Sequence, residues 1–145
     1  MGESLPRIAW DNGLPAAVLT ASSTAYGHDA TFVCDDTLYR TWMPAAGGVQ
    51  TLEAVWPTPR TLSCWACYGH DLGAKGATIA CEVWTGGGWT PFGGSAVSPA
   101  GSECIYRIDA PVVTDRARFI ITAPLPPRIA ALFLGQDILV HQKNL

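Results

Sequence analysis

The chain has 145 residues, enough for one domain with a full apolar core, and no linker or internal repeat divides it. Charged residues make up only 14% and the formal net charge is −3. The nine Lys and Arg are scattered without a basic stripe, which argues against nucleic-acid binding. No run approaches the ~18 apolar residues of a membrane span, and the opening MGESLPRIAWDNG lacks the basic and apolar regions of a signal peptide. Five Cys without a leader are expected as reduced, mostly buried thiols in a protein made in a cytoplasm. So low a charge fraction suits a subunit that buries surface in an assembly.

Eleven Pro and fifteen Gly punctuate the whole length. Turn signals such as DNG at 11–13, AAGG at 45–48, GGG at 86–88, GG at 93–94 and PLPP at 124–127 separate short stretches rich in Val, Ile, Thr and Trp. This spacing predicts an all-β sandwich or barrel. The first strand is expected over 16–21. The second, QTLEAVW at 50–56, alternates, with Leu52, Ala54 and Trp56 on one face. Further strands are expected over 62–68, 78–85, 104–108, 116–122 and 130–141. Glu53 and Glu82 fall on the wet phases of their strands. Segment 35–44, DDTLYRTWMP, reads as a short helical turn or an irregular loop.

The stretch SCWACYGHDL at 63–72 holds a C-x-x-C pair with His70 and Asp71 close behind. A structural zinc site needs four ligands, commonly from two such pairs, and here there is one. If 62–68 is a strand, Cys64 shares a face with Leu62, Ala66 and Tyr68, and Cys67 shares the other with Ser63 and Trp65. The sulfurs then cannot meet at one metal, and no helix follows to support a redox pair. His70 and Asp71 read instead as ties that satisfy the backbone of a loop. No G-x-S-x-G elbow occurs, and Asp35-Asp36 is the only adjacent acid pair, suited to a turn cap or to calcium. Nothing here predicts an enzyme. Among six Trp, Trp42 and Trp89 are the best placed for an exposed loop, either as sugar-stacking or partner-anchoring rings or as core.

The string LTASSTAYGHDATFVCDDTLYRTWMPA (19–45) resembles the opening of discoidin-like (F5/8 type C, galactose-binding-like) domains. Ala21-Ser22-Ser23, the Asp35-Asp36 turn and Thr41-Trp42 stand at the family's marked places. CYGHDLGAKGATIACEVWTGGGWTPF (67–92) and IAALFLGQDILV (129–140) look like segments of the tailed-phage variants of this fold. The resemblance implies a jelly-roll β-sandwich of about eight antiparallel strands over residues 1–145. It implies a non-enzymatic virion component of a phage tail tip, baseplate or fibre, made in the host cytoplasm and present in several copies beside other tail proteins. The alternative it carries is a carbohydrate-binding module for a host surface glycan, with Tyr39, Arg40, Trp42 and Trp89 as contacts. No cofactor is expected beyond a structural Ca²⁺, for which Asp36 and Thr41 are the candidate ligands. The sequence departs from the family at that turn, Asp-Asp in place of Asp-Gly, and has Gln136 and Asp137 where a late acidic ligand is usual.

Overall fold

The computed structural model describes residues 7–35 and 37–139. Asp36 and the end of the last expected strand beyond residue 139 lie outside the described residues. Seven strands are described: β1 (Arg7–Asn12), β2 (Val18–Ala21), β3 (Gly48–His70), β4 (Thr78–Thr85), β5 (Gly88–Val97), β6 (Ile105–Ala123) and β7 (Ile129–Leu139). Short 3-10 turns at Leu14–Ala16 and Ala30–Cys34 are the helical elements. All pairings are antiparallel, in the order β1-β7-β3-β6-β4-β5, with β2 added along β3. The expected all-β class and jelly-roll architecture hold.

The strand boundaries differ from those expected, for physical reasons. The segments 50–56 and 62–68 are one strand, β3, and 104–108 and 116–122 belong to one strand, β6. Pro57 and Pro59 cannot donate to a ladder. They interrupt the β3–β6 pairing between Val55 and Arg60 without ending the strand. The two long strands bend there together. The first half of β3 pairs with β2 and with residues 116–123 of β6; the second half pairs with residues 105–114 of β6 and with β7. Folding over at the bend brings the halves face to face. Trp65, on the second half of β3, meets Phe119, on the far half of β6, edge to face at 5.8 Å.

Strand β5 was hidden by its glycines. GGG at 86–88 makes the turn, but Gly93 and Gly94 sit inside the strand at φ of 77° and 90°. The β4–β5 register jumps there, from Cys81↔Phe92 to Ile79↔Val97, so the glycines form a bulge. Pro91 is tolerated because β5 is an edge strand. In the other direction, 16–21 is part 3-10 turn and part strand.

Alternation places the core. Leu52, Ala54 and Trp56 point inward as expected, as do Ile79, Cys81 and Val83 of β4 and Ala117, Phe119 and Ile121 of β6. Every residue from Leu62 to Cys67 is buried, because this stretch lies between β6 and β7. Leu62, Trp65 and Cys67 join the main core cluster; Cys64 and Ala66 do not. The sulfurs of the C-x-x-C therefore stand on opposite faces of β3. Leu62 was expected on the face of Cys64, but a register shift between the two resets the phase. None of the five cysteines joins a disulfide, and Cys104 is exposed rather than buried. Burial pushes the Cys34 thiol up to about 11 and raises the thiols of Cys67 and Cys81 further.

Candidate functional site

The bent strands gather four connections at one end of the sandwich: residues 22–47, 71–77, 98–104 and 124–128. Backbone bonds tie them to one another, from Asp71 N–H to Arg128 O (3.2 Å), from Gly73 N–H to Gly101 O (3.2 Å), and between Trp42 and Ile129 in both directions at 2.9 Å.

His70 is the clasp of this end. It is buried, and its Nδ1 accepts from the Leu72 amide at 3.1 Å. That leaves Nε2 to carry the proton and donate to Glu103 O at 2.7 Å. Asp71 Oδ1 accepts from the Arg128 amide at 2.7 Å. Both side chains of the Gly-His-Asp-Leu segment thus hold neighbouring loops. Glu103 in turn accepts from the amides of Ala100 (3.0 Å) and Gly101 (2.8 Å).

The backbone N–H of Glu103 itself, then those of Ala100 and Gly101, hold the Glu103 carboxyl below its ordinary value, with a smaller contribution from His70. A carboxylate depressed in the folded state contributes stability above its unfolded pKa and loses it as pH falls through the folded value. Lowering pH from about 6 to about 3, across the carboxylate range, is expected to loosen residues 98–104 first. Amide protection measured by NMR should fall there before it falls in β3 or β6, and Glu103→Gln should remove that step. Protection that falls uniformly across the chain would contradict this.

Segment 22–47 carries the remaining candidates. Ser22 and Ser23 both donate to Gln50 Oε1, at 2.6 and 2.7 Å, and Ser23 Oγ accepts from Ala45 N at 3.0 Å. The Ala-Ser-Ser run thus fastens the segment to β3. Asp29 caps the second 3-10 turn by accepting from the amide and hydroxyl of Thr31, both at 2.8 Å, which lowers its own pKa.

Trp42, read in the sequence either as an exposed contact ring or as core, is fully buried, which rules it out as a glycan or partner contact, and its Nε1 donates to Ser23 O at 3.3 Å. The bridge to Ile129 pulls its backbone into the sheet and its ring into the core. It is a structural anchor of the loop and offers no face to a ligand. Tyr39 is the opposite case, 82% exposed, with Leu38 beside it lying close to Gly69. Arg40 pairs with Asp35 at 2.5 Å and lies 5.0 Å over the Phe32 ring. Tyr26, which the sequence reading passed over, is the most exposed aromatic residue of this end. Its signal was present in the string TAYGHD, a ring between small residues before a Gly turn.

Thr41 faces His28, whose Nδ1 lies 3.1 Å from both Thr41 Oγ1 and Thr41 O. Its proposed calcium partner Asp36 is outside the described residues. Among the described residues, no three His, Cys, Asp or Glu side chains gather at one point. Trp89 is not at the loop end. It lies on the outer face of β5, next to the β4–β5 turn, so the structure divides the four sequence candidates between a core position, the loop end and a sheet face.

No protein-family model and no curated protein sequence matches the chain. Solved structures do. A putative alpha-L-fucosidase from Bacteroides thetaiotaomicron superposes with a TM-score of 0.71 at 14% identity, over 87% of this chain and 28% of that one. The chain therefore spans only a small part of that enzyme. Chitosan-binding module 1 from the chitosanase/glucanase of Paenibacillus sp. IK-5 gives 0.68 at 15% identity, over 88% of this chain and 100% of the module. The Clostridium perfringens module CpGH89CBM32-5, solved with GalNAc-β-1,3-galactose, gives 0.69 at 12% identity, over 85% and 97%. At these identities the likeness is one of fold: this chain has the jelly-roll β-sandwich of carbohydrate-binding modules.

Proposed function

We propose that the protein is a non-catalytic carbohydrate-binding domain that engages a glycan at the four-loop end. The observation that carries this reading is Tyr39, an exposed ring beside the Arg40–Asp35 ion pair, on a segment held in place by buried Trp42. A pyranose presents an apolar C–H face and a rim of hydroxyls. Tyr39 supplies a ring for the first, and a guanidinium and carboxylate supply donors and acceptors for the second. Tyr26 adds a second exposed ring on the same segment. The whole-length likeness to sugar-binding modules favours this reading over docking into a phage tail, which draws on the sequence resemblance alone.

Titration of the intact chain against a panel of oligosaccharides tests it. Binding is expected, and Tyr39→Ala should weaken it up to about tenfold, since an aromatic contact contributes roughly 0.5–1.5 kcal/mol. Thermal stability should barely change, because the ring is mostly out of contact. Failure of every neutral and acidic sugar to bind at millimolar concentration would overturn the proposal.

A further inference from the structure

The outer face of the β2-β3-β6-β4-β5 layer carries a second group of side chains that neither the core nor the loop end uses. Register places Thr20, Glu53, Arg118, Glu82 and Pro91 in one row across five strands. Beside this row stand Trp84 and Trp89, directly opposite each other on β4 and β5. Their rings meet at 5.3 Å and 80°. Arg118 lies 4.2 Å over Trp89, and Arg116 lies 5.5 Å over Trp84. Both indoles are half-buried and outside the core cluster.

The two arginines differ in what balances them. Arg118 donates through Nε and Nη2 to Glu82 Oε1, at 2.8 and 2.6 Å, and has Glu53 opposite it on the other side. Its charge is matched within the sheet. Arg116 sits opposite Val55. Among the described residues its guanidinium has no carboxylate partner and no hydrogen bond, only the indole of Trp84. A guanidinium held against a ring keeps its planar fork of donors free for a carboxylate. The two indoles present four faces. The guanidiniums and the edge-to-face contact account for three, which leaves one uncommitted by these contacts.

We infer that this face is a second saccharide-binding surface, selective for an acidic pyranose. Its uronate carboxylate would be taken by Arg116, and its C–H face would stack on the Trp84–Trp89 pair. The location is independent of the loop end, while the ligand class rests on the glycan-binding reading. A nucleic acid fits poorly, since the unpaired Arg116 guanidinium on this face of a chain of net charge −3 supplies little of the multiple phosphate neutralisation that such binding uses.

The test uses the full chain, an oligouronate, and the same oligosaccharide with its carboxyls reduced to alcohols. Binding is followed by the indole N–H resonances and by tryptophan emission. The oligouronate is expected to shift the Trp84 and Trp89 signals. The reduced sugar, and separately Arg116→Gln, should each weaken that binding by at least roughly fivefold, about 1 kcal/mol. Arg116→Gln removes no core contact, so the variant should fold. Tyr39→Ala should leave the response of these indoles unchanged. Equal affinity for the two sugars, or unchanged affinity in Arg116→Gln, overturns the inference. Binding abolished by Tyr39→Ala but not by Arg116→Gln overturns it while leaving the loop-end site standing.

Discussion

Trp65→Ala is expected to lower the free energy of unfolding by about 3–5 kcal/mol, the range for removing a buried tryptophan. Trp65 is fully buried where the two halves of the sandwich meet. Its ring packs edge to face on Phe119 at 5.8 Å, and its Nε1 donates to Phe92 O at 3.0 Å. Alanine would leave a cavity between the layers and strip Phe92 O of a donor. A domain with about 5–15 kcal/mol of stability would lose a large part of it. Denaturant unfolding measures the loss. Trp65→Phe separates the causes, because it keeps a ring and removes the donor; a cost of roughly 0.5–1.5 kcal/mol is expected from the lost hydrogen bond. A loss below 1 kcal/mol for Trp65→Ala would contradict the placement of this ring.

The second large effect is at Gly135. A Cβ there would fall 1.7 Å from Asp11 O and 2.8 Å from Asp11 C. These are backbone atoms of β1, and they cannot yield by a rotamer change. Gly135→Ala must push β1 away from β7. That would disturb Asn12, whose Oδ1 accepts from the amides of Leu14 (3.2 Å) and Leu134 (3.1 Å). Overpacking of this kind typically costs about 1–3 kcal/mol and sometimes more. Hydrogen exchange should show β1 losing protection while β3 and β6 keep theirs. Gly86→Ala is the control. It meets open space but forces a side chain to φ of 59°, and it should cost only about 1–2 kcal/mol. A smaller loss for Gly135→Ala than for this control would contradict the close approach of the two strands.

Much of the fold was legible because it is written in local chemistry. Alternation in QTLEAVW named the inward face of β3, and it did so again for β4. It also separated the sulfurs of the C-x-x-C. His70 and Asp71 read as loop ties because short polar side chains near a turn compete for backbone groups. The strand ends were harder. A proline pair ends many strands, yet here Pro57 and Pro59 fall at a bend that two strands share, so the ladder resumes beyond them. Glycines that read as loop in residues 93–94 form a bulge within an edge strand.

The candidate site was legible only in part, and Trp42 shows why. In sequence it follows a polar loop and precedes a proline, which is how an exposed ring also looks. What buries it is a backbone bridge to Ile129, 87 positions away along the chain. Trp89 likewise has a local sequence that suits a turn, but its partners Trp84 and Arg118 come from two other strands. Tyr39 faces solvent, as its place in the loop string DDTLYRTW suggests.

By itself, the sequence determined the all-β class, the inward faces of its strands and the reading of His70 and Asp71 as ties of a loop. The class and the faces follow from a period of two, and the tie reading from short polar side chains beside a turn, although the groups those side chains hold lie far along the chain. The tertiary structure decided which aromatic rings face solvent, which of the described arginines pair with a carboxylate and which loops share an end. Those properties depend on pairings between residues far apart in the chain, and the shared bend in β3 and β6 sets them by folding one half of the ladder over the other.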